Sequence, residues 1–126
     1  MQTHSKIQIT SDFLKSKKNI EEIICSRIVE KIRDNYHPEK IILFGSYAYG
    51  KPTEDSDIDI VVIKKDAGNT PSIDRSVEIR KILAEENRFL PITPIVYTPE
   101  EIENRLFIGD DFVAEVLERG RVLYVR

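Results

Sequence analysis

An apolar run that ends in a Gly-Ser pair, followed after ten residues by two aspartates, most restricts how this chain can fold. The run Lys40–Phe44 predicts a short buried strand that stops at Gly45. Residues Ser46–Tyr49 predict one helical turn, and Asp57–Ile63, rich in Ile and Val, predicts a second strand. The segment therefore favours a compact domain in which a strand, a helical turn and a second strand follow one another closely.

Side chains alternate along a strand, so Asp57 and Asp59 are predicted to share one face, about 6.5–7 Å apart at the backbone. Two carboxylates there are costly unless a cation or solvent compensates them. Their hard oxygens suit Mg²⁺ or Mn²⁺. Gly45 has no Cβ and lets the backbone approach a ligand. Ser46, at the start of a helical turn, can offer N–H groups and its hydroxyl to a phosphate.

Each half of this pattern also has a simpler interpretation. A Gly-Ser pair is a common turn, and Ser56-Asp57-Ile58-Asp59 can be a solvated strand start. The two halves together, each beside an apolar strand, favour a site for a metal ion and a nucleoside triphosphate.

The rest of the chain predicts helices alternating with strands. Asn19, with Glu22 three residues later, resembles a capping box that opens a helix to about Tyr36. Ser72 is predicted to cap a helix that runs to about Phe89. Isoleucine and valine form the inward stripe of the first helix: Ile20, Ile23, Ile24, Ile28, Val29 and Ile32. The predicted inward residues of the second helix are Val77, Ile79, Ile82 and Leu83.

The last third of the chain predicts a strand, two helices and a terminal segment. Ile92–Tyr97 is the third strand, and Pro94 suits its start or a sheet edge. Thr98 is a helix N-cap, followed by Pro99 at the first helical position. A last helix, Asp110–Arg119, ends at Gly120, and residues 122–125 form a terminal strand or a packed tail. The predicted inward residues of this last helix are Phe112, Val113, Val116 and Leu117.

Length and composition limit the class of protein. The 126 residues suit one domain, which we place at 19–126 after a polar N-terminal extension, 1–18. The net charge of −3 argues against a domain that coats nucleic acid. No run approaches the roughly 20 apolar residues that span a bilayer. The single Cys25, predicted to lie in the core, excludes an internal disulfide, and a cytoplasmic protein is the default expectation.

Gly45-Ser46, ten residues and then Asp57-Ile58-Asp59 resemble the signature of the DNA polymerase β-like nucleotidyltransferase superfamily. The similarity is greatest to its small single-domain group, the minimal nucleotidyltransferases. It extends from the first helix and strand to the segments Tyr97–Glu101 and Gly120–Tyr124.

The resemblance implies an α+β fold, α-β-α-β-α-β-α, with a small mixed sheet flanked by helices. It also implies a divalent metal held by Asp57 and Asp59, which are then the catalytic residues. The activity implied is transfer of a nucleoside monophosphate from a triphosphate such as ATP to a hydroxyl. Gly45, Ser46 and Ser56 fall in the nucleotide-binding motif.

Two departures from the family pattern stand out. The family motif usually ends Ala-Arg-Gly, whereas this chain has Tyr49 at the arginine position. Tyr49 packs on the loop or stacks on a base, and the adjacent Lys51 can supply the missing charge. Active members place a third acid at the start of the third strand, where this chain has Thr93. Glu78, Glu85 and Glu86 could substitute for it, although they are expected to form a solvated helix face.

Three functions follow from the resemblance. The first is an enzyme that modifies a partner protein with AMP, as the antitoxin of a pair with a helical HEPN-type toxin. The second is a binding module of the same fold that neutralises a partner by contact, with weak or absent catalysis. The third is a small-molecule nucleotidyltransferase of the antibiotic-modifying type.

Overall fold

The computed structural model describes residues 17–53, 55–67 and 69–126, with side chains from Ile20 onward except that of Cys25. Most of the predicted N-terminal extension, residues 1–16, lies outside the described residues, as does the Cys25 side chain predicted to be in the core. The described part forms an α+β fold with one mixed four-stranded sheet flanked by helices, as predicted. None of its helices has the length and apolar character needed to cross a bilayer.

The first helix of the described residues is continuous and consists of three segments. They are α1 (Lys17–Ile23), a π-helical stretch (Ile24–Ile28) and α2 (Val29–Tyr36), and the backbone stays right-handed helical at both junctions. The predicted isoleucine and valine stripe is buried throughout, which confirms its inward face. The prediction that Asn19 is the N-cap is wrong, because the helix already includes Lys17 and Lys18.

The sheet has the strand order β3-β2-β1-β4. Strand β1 (Lys40–Phe44) pairs antiparallel with both β2 (Ile58–Ile63) and β4 (Arg121–Val125). Strand β3 (Ile92–Tyr97) pairs parallel with β2 and forms one edge, where Pro94 is accommodated as predicted. Residues 122–125 therefore belong to a terminal strand and not to a packed tail.

Beyond the first helix, the described residues form five further helices that connect and cover the strands. They are α3 (Ser46–Tyr49), α4 (Ser72–Ile82), α5 (Ala84–Asn87), α6 (Pro99–Phe107) and α7 (Asp111–Arg119). The single helix predicted from Ser72 to Phe89 is in fact divided at Leu83, which leaves the helical region. Ser72 does not cap α4, because Pro71 occupies the N-cap position.

The caps of the last two helices follow the sequence signals. Thr98 and Glu101 form a complete capping box at the start of α6, with Pro99 at the first helical position. The Asp110 carboxylate accepts a hydrogen bond from the Val113 N–H at the start of α7. Local chemistry therefore determines where both helices begin.

The hydrophobic core consists of two clusters of different size, one on each face of the sheet. The larger cluster packs the first helix and α4 against one face, including Ile41 and Leu43 of β1. On the other face, Ile42 and Phe44 pack against Val61 of β2 and Val116 of α7. This second face is only partly covered by helix, and Phe112 contacts it edge-on through Phe44, with ring centroids 5.2 Å apart.

Three residues predicted to point inward are exposed. Val77 of α4 and Phe112 and Leu117 of α7 keep about 40% of their surface in solvent. Their neighbours Ile79, Val113 and Val116 are buried as predicted. The predicted apolar faces were therefore wider than the surfaces available to bury them.

A buried arginine ties α4 to the end of β3. The Arg75 guanidinium donates to the carbonyl oxygens of Thr70 and Val96, and it forms paired hydrogen bonds with the Glu101 carboxylate at 2.7 and 3.0 Å. This arginine holds the pKa of Glu101 below its usual value. One side chain thus joins a loop, a strand and the capping box of α6.

Gly120 closes α7 against β1 with no room for a side chain. A Cβ there would lie 2.3 Å from the Val116 carbonyl oxygen and 2.6 Å from Cγ2 of Ile42. The Gly120 N–H donates to the same Val116 carbonyl. The end of α7 therefore lies directly on the central strand.

We expect Gly120→Ala to lower the free energy of unfolding by about 1–3 kcal/mol, because the new methyl group displaces packed backbone. Urea denaturation measures this. Gly109→Ala is the matched control, since a Cβ there meets no atom within 4 Å and carries only the strain of a positive φ of 82°, about 1 kcal/mol. An equal or larger loss for Gly109→Ala would contradict the packing argument.

Candidate active site

The strand register brings the predicted carboxylates to the end of the sheet where β1 finishes. Asp59 lies on β2 opposite Phe44 of β1 and, across the other ladder, opposite Thr93 of β3. Asp57 is exposed just before β2 begins, and Asp59 is half-buried. Both aspartates lie at the partly covered face of the sheet, since Ile58 and Ile60 fill the other face.

Gly45 lies directly against the carboxylate of Asp59. A Cβ at Gly45 would be 2.6 Å from Asp59 Oδ2, closer than two atoms can pack. The Gly45 backbone also has a positive φ of 76°, which glycine adopts at little cost. The sequence motif therefore brings the backbone of the Gly-Ser turn into contact with the second aspartate.

The electrostatics of the pair favour a bound cation. Burial, and then the neighbouring charge of Asp57, raise the pKa of Asp59. Both effects penalise the ionised carboxylate, and a divalent cation would remove both penalties. The two carboxylates and the open face therefore fit a hard divalent metal ion, with Asp57 and Asp59 as its protein ligands.

Helix α3 follows the turn and is held to it by backbone hydrogen bonds. The N–H groups of Ala48 and Tyr49 donate to the Gly45 carbonyl at 3.0 and 3.1 Å, and the Gly50 N–H donates to Ser46. The first N–H groups of a helix have no partner within it. Ser46 and Tyr47 therefore begin a turn whose donors suit a phosphate beside the Asp59 carboxylate.

The other two predicted nucleotide-contacting residues lie in the loop between α3 and β2. Lys51 is exposed directly after Gly50. The Ser56 hydroxyl oxygen accepts a hydrogen bond from the Thr53 N–H at 2.8 Å and so folds the loop in front of Asp57. Nucleotide contacts from Lys51 and Ser56 stay predictions.

Thr93 occupies the position predicted for a third acid. Its hydroxyl donates to Asp57 Oδ2 at 3.4 Å, a long hydrogen bond. Within the described parts of the chain, no third acidic, histidine or cysteine side chain joins the pair into a metal-binding group. A threonine hydroxyl does not act as a general base at neutral pH, so Thr93 can orient Asp57 but cannot replace a carboxylate.

Two of the three glutamates considered as substitutes for the third acid form ion pairs with a lysine of the first helix. Lys31 of α2 lies 3.3 Å from Glu85 and 2.8 Å from Glu86, which joins the first helix to α5. Glu86 is 2% exposed, so its predicted place on a solvated face is wrong. Glu78 is exposed on α4.

Sequence reasoning missed a side-chain cluster around Tyr49. The Tyr49 hydroxyl donates to the Glu115 carboxylate at 2.7 Å, and the Arg119 guanidinium lies 4.1 Å from the centre of the Tyr49 ring. The Tyr49 ring therefore packs against α7, whereas the sequence had suggested packing on the loop or stacking on a base. Only the i, i+4 spacing of Glu115 and Arg119 on α7 was visible in the sequence.

We expect Asp59→Asn to raise the melting temperature at pH 7 without divalent cations. Because the folded-state pKa of Asp59 is raised, the folded chain retains this proton to a higher pH than the unfolded chain. Stability is then lost as pH rises from the ordinary carboxyl pKa to the raised one, and the loss persists above it. The gain from Asp59→Asn should therefore shrink towards pH 4.

Thermal melting at a series of pH values measures this effect. Asp74→Asn, which changes an exposed aspartate in the first turn of α4, is the matched control. An equal gain for Asp59→Asn at pH 4 and pH 7 would show that its carboxylate is not penalised in the folded chain.

The chain is similar to several known proteins. A family model described as a nucleotidyltransferase domain matches residues 25–123. "Putative protein adenylyltransferase MJ1379" of Methanocaldococcus jannaschii is 38% identical over 92 residues, which cover 72% of this chain and 86% of that protein. "Putative protein adenylyltransferase MJ0604" of the same organism is 35% identical over 107 residues, covering 82% of this chain and 98% of that protein.

Two solved structures share the fold at 22% sequence identity each. A crystal structure named as a putative nucleotidyltransferase from Sulfolobus solfataricus has a TM-score of 0.53, covering 95% of this chain and 86% of that chain. A mutant of the toxin–antitoxin MntA-HpeT has a TM-score of 0.55, covering 79% of this chain and 72% of that chain. The chain therefore belongs to the nucleotidyltransferase domain family, as its resemblance to the minimal nucleotidyltransferases predicted.

Proposed function

We propose that this chain transfers AMP from ATP to a hydroxyl group of a partner protein, in a reaction that depends on Mg²⁺ or Mn²⁺. The observation that carries the proposal is the contact between Gly45 and the Asp59 carboxylate, with Asp57 beside it on the open face of the sheet. This contact joins a turn suited to phosphate with a carboxylate pair suited to a divalent metal.

The chemistry assigns a role to each group. The acceptor hydroxyl oxygen attacks the α-phosphorus, a new P–O bond forms, and the bond to the β-phosphate oxygen breaks to release pyrophosphate. When bound, the metal neutralises charge that develops on the phosphates. Asp57 and Asp59 would hold it, and the Gly45-Ser46 turn would orient the phosphates. The hydroxyl proton would pass to solvent, since no third acidic side chain of the described residues joins the pair.

The identity of the transferred group and of the acceptor is supported by the relatives. Two proteins that are 38% and 35% identical are named as putative protein adenylyltransferases. An adenylyltransferase moves AMP, which favours ATP as the donor, and the acceptor in those names is a protein. We extend both to this chain.

A toxin partner is supported by one of the two solved structures. The MntA-HpeT neighbour is a toxin–antitoxin, and this chain shares its fold. We therefore propose that the acceptor is a helical HEPN-type toxin and that modification by this chain neutralises it.

One observation favours a second function, neutralisation by contact alone. Thr93 stands where a carboxylate would activate the acceptor hydroxyl, and general-base help of this kind contributes roughly 10²–10⁴ in rate. A chain that retains the nucleotide site but lacks the base can still bind its partner. The two functions make different predictions for variants of the aspartates.

ATP is expected to raise the melting temperature only when Mg²⁺ is present, because Asp57 and Asp59 would repel the phosphates unless they held a cation that offsets their charge. At ATP concentrations ten times the dissociation constant, the stabilisation is about 1.4 kcal/mol. The Asp57→Ala, Asp59→Ala double variant should lose this response, while Asp74→Ala retains it. Calorimetry gives the affinities, and an unchanged ATP affinity in the double variant would place the nucleotide elsewhere.

Label transfer tests the reaction itself. The chain is incubated with Mg²⁺, ATP labelled at the α-phosphate, and a purified HEPN-type helical protein as the proposed partner. We expect label on the partner, abolished by Asp57→Asn or Asp59→Asn and retained in Asp74→Asn. If both active-site variants instead neutralise the partner as well as the unmodified chain does, the contact function is correct and the transfer function is not.

A further inference from the structure

We propose that Arg119 binds the phosphates of the nucleotide that Asp57 and Asp59 hold, and that Tyr49 and Glu115 keep its guanidinium in place. This inference rests on the proposed function and extends it by naming a cation of the phosphate site. Arg119 is far from the Gly-Ser and Asp motifs in the sequence, so only the fold brings them together.

The strand register places Arg119 at the same end of the sheet as the carboxylate pair. Arg119 is the last residue of α7, and β4 begins two residues later at Arg121. Arg121 pairs with Leu43 of β1, while the next residue of β1, Phe44, pairs with Asp59. The end of α7 and the start of β2 therefore flank the same few residues of β1.

The Tyr49 ring holds the guanidinium in a defined position. Arg119 Cζ lies 4.1 Å from the ring centre, and the Tyr49 hydroxyl is itself held by Glu115. A guanidinium that stacks on a ring through its face keeps its N–H donors at the edge. That planar fork of donors suits the oxygens of a phosphate.

The charge of Arg119 is not satisfied by a neighbouring acid. Among the described residues, no carboxylate lies within 4.0 Å of its guanidinium. By contrast, Arg75 is buried and fully engaged by Glu101. Arg119 is exposed, so its donors remain available to a ligand.

A triphosphate bound beside Asp57 and Asp59 would need more positive charge than one divalent metal ion supplies. Asp57 and Asp59 already consume the charge of one divalent ion, and a triphosphate brings several further negative charges. Helix α3, which carries Tyr49, begins at Ser46 directly after the Gly45 turn. Arg119 of α7 is therefore a cation stacked on Tyr49, the last residue of the helix that follows the Gly45 turn.

The stack also has a purely structural interpretation, in which Arg119 only fastens α3 to α7. That role predicts a lower melting temperature and an equal loss of affinity for every ligand of the site. A phosphate contact predicts a loss confined to ligands with phosphates. The experiment therefore compares ATP with adenosine.

Calorimetry of the full chain with Mg²⁺ measures ATP binding, and competition measures adenosine. Loss of charge-assisted hydrogen bonds to phosphate should weaken ATP binding roughly tenfold to a hundredfold in Arg119→Gln. Adenosine affinity and melting temperature should stay unchanged. Arg88→Gln is the matched control, because Arg88 is also exposed beside a ring, 5.8 Å from the centre of Phe89, but in another part of the fold.

Variants of the ring test the positioning. Tyr49→Phe keeps the stack and should retain most of the ATP affinity, whereas Tyr49→Leu removes it and should weaken ATP binding as Arg119→Gln does. If Arg119→Gln binds ATP as tightly as the unmodified chain, the inference is overturned and the proposed function stands. If the unmodified chain does not bind ATP, the proposed function fails, and this inference fails with it.

Discussion

The site depends on one steric constraint, the contact between the Gly45 backbone and the Asp59 carboxylate. The contact exists because β1 and β2 are antiparallel neighbours whose register sets Phe44 opposite Asp59. Any side chain at position 45 would occupy the space that the carboxylate fills. The strand register therefore places the acidic strand beside the turn, and the missing Cβ of Gly45 allows the two to come into contact.

The same geometry sets the charge balance at the carboxylate pair. Desolvation and like charge make Asp59 unfavourable when it is ionised, and this stores a preference for a cation at the strand start. Thr93 contributes a neutral hydroxyl at a long distance from Asp57. The two carboxylates therefore suit a cation, whereas the threonine hydroxyl adds no group that acts as a general base at neutral pH.

Residue spacing and capping residues in the sequence predicted most of the helices and strands, but they did not predict every side chain that those elements bury. The isoleucine stripe of the first helix and the capping box at Thr98 follow from spacing alone, and both are present. The burial of Glu86 was not predictable, because it depends on the packing of α5 beside Lys31 of α2, and no local pattern marked the break at Leu83. Tertiary contacts therefore decided what periodicity could not.

The candidate site was predictable to the same extent. The spacing of Asp57 and Asp59 indicated a shared face, and the Gly-Ser turn indicated close approach of the backbone. The register that joins them needed the folded sheet. The stacking of Arg119 on Tyr49 involves residues 70 positions apart, and no local pattern specifies such a pair.

Pro94 on the edge strand β3 has a consequence for association with other chains. An edge strand normally offers its free N–H and C=O groups to another strand, which is a route to aggregation. Pro94 has no N–H and interrupts that row of donors one residue after Thr93. The flank of the sheet beside the carboxylate pair is thus protected against the addition of a strand from another copy of the chain.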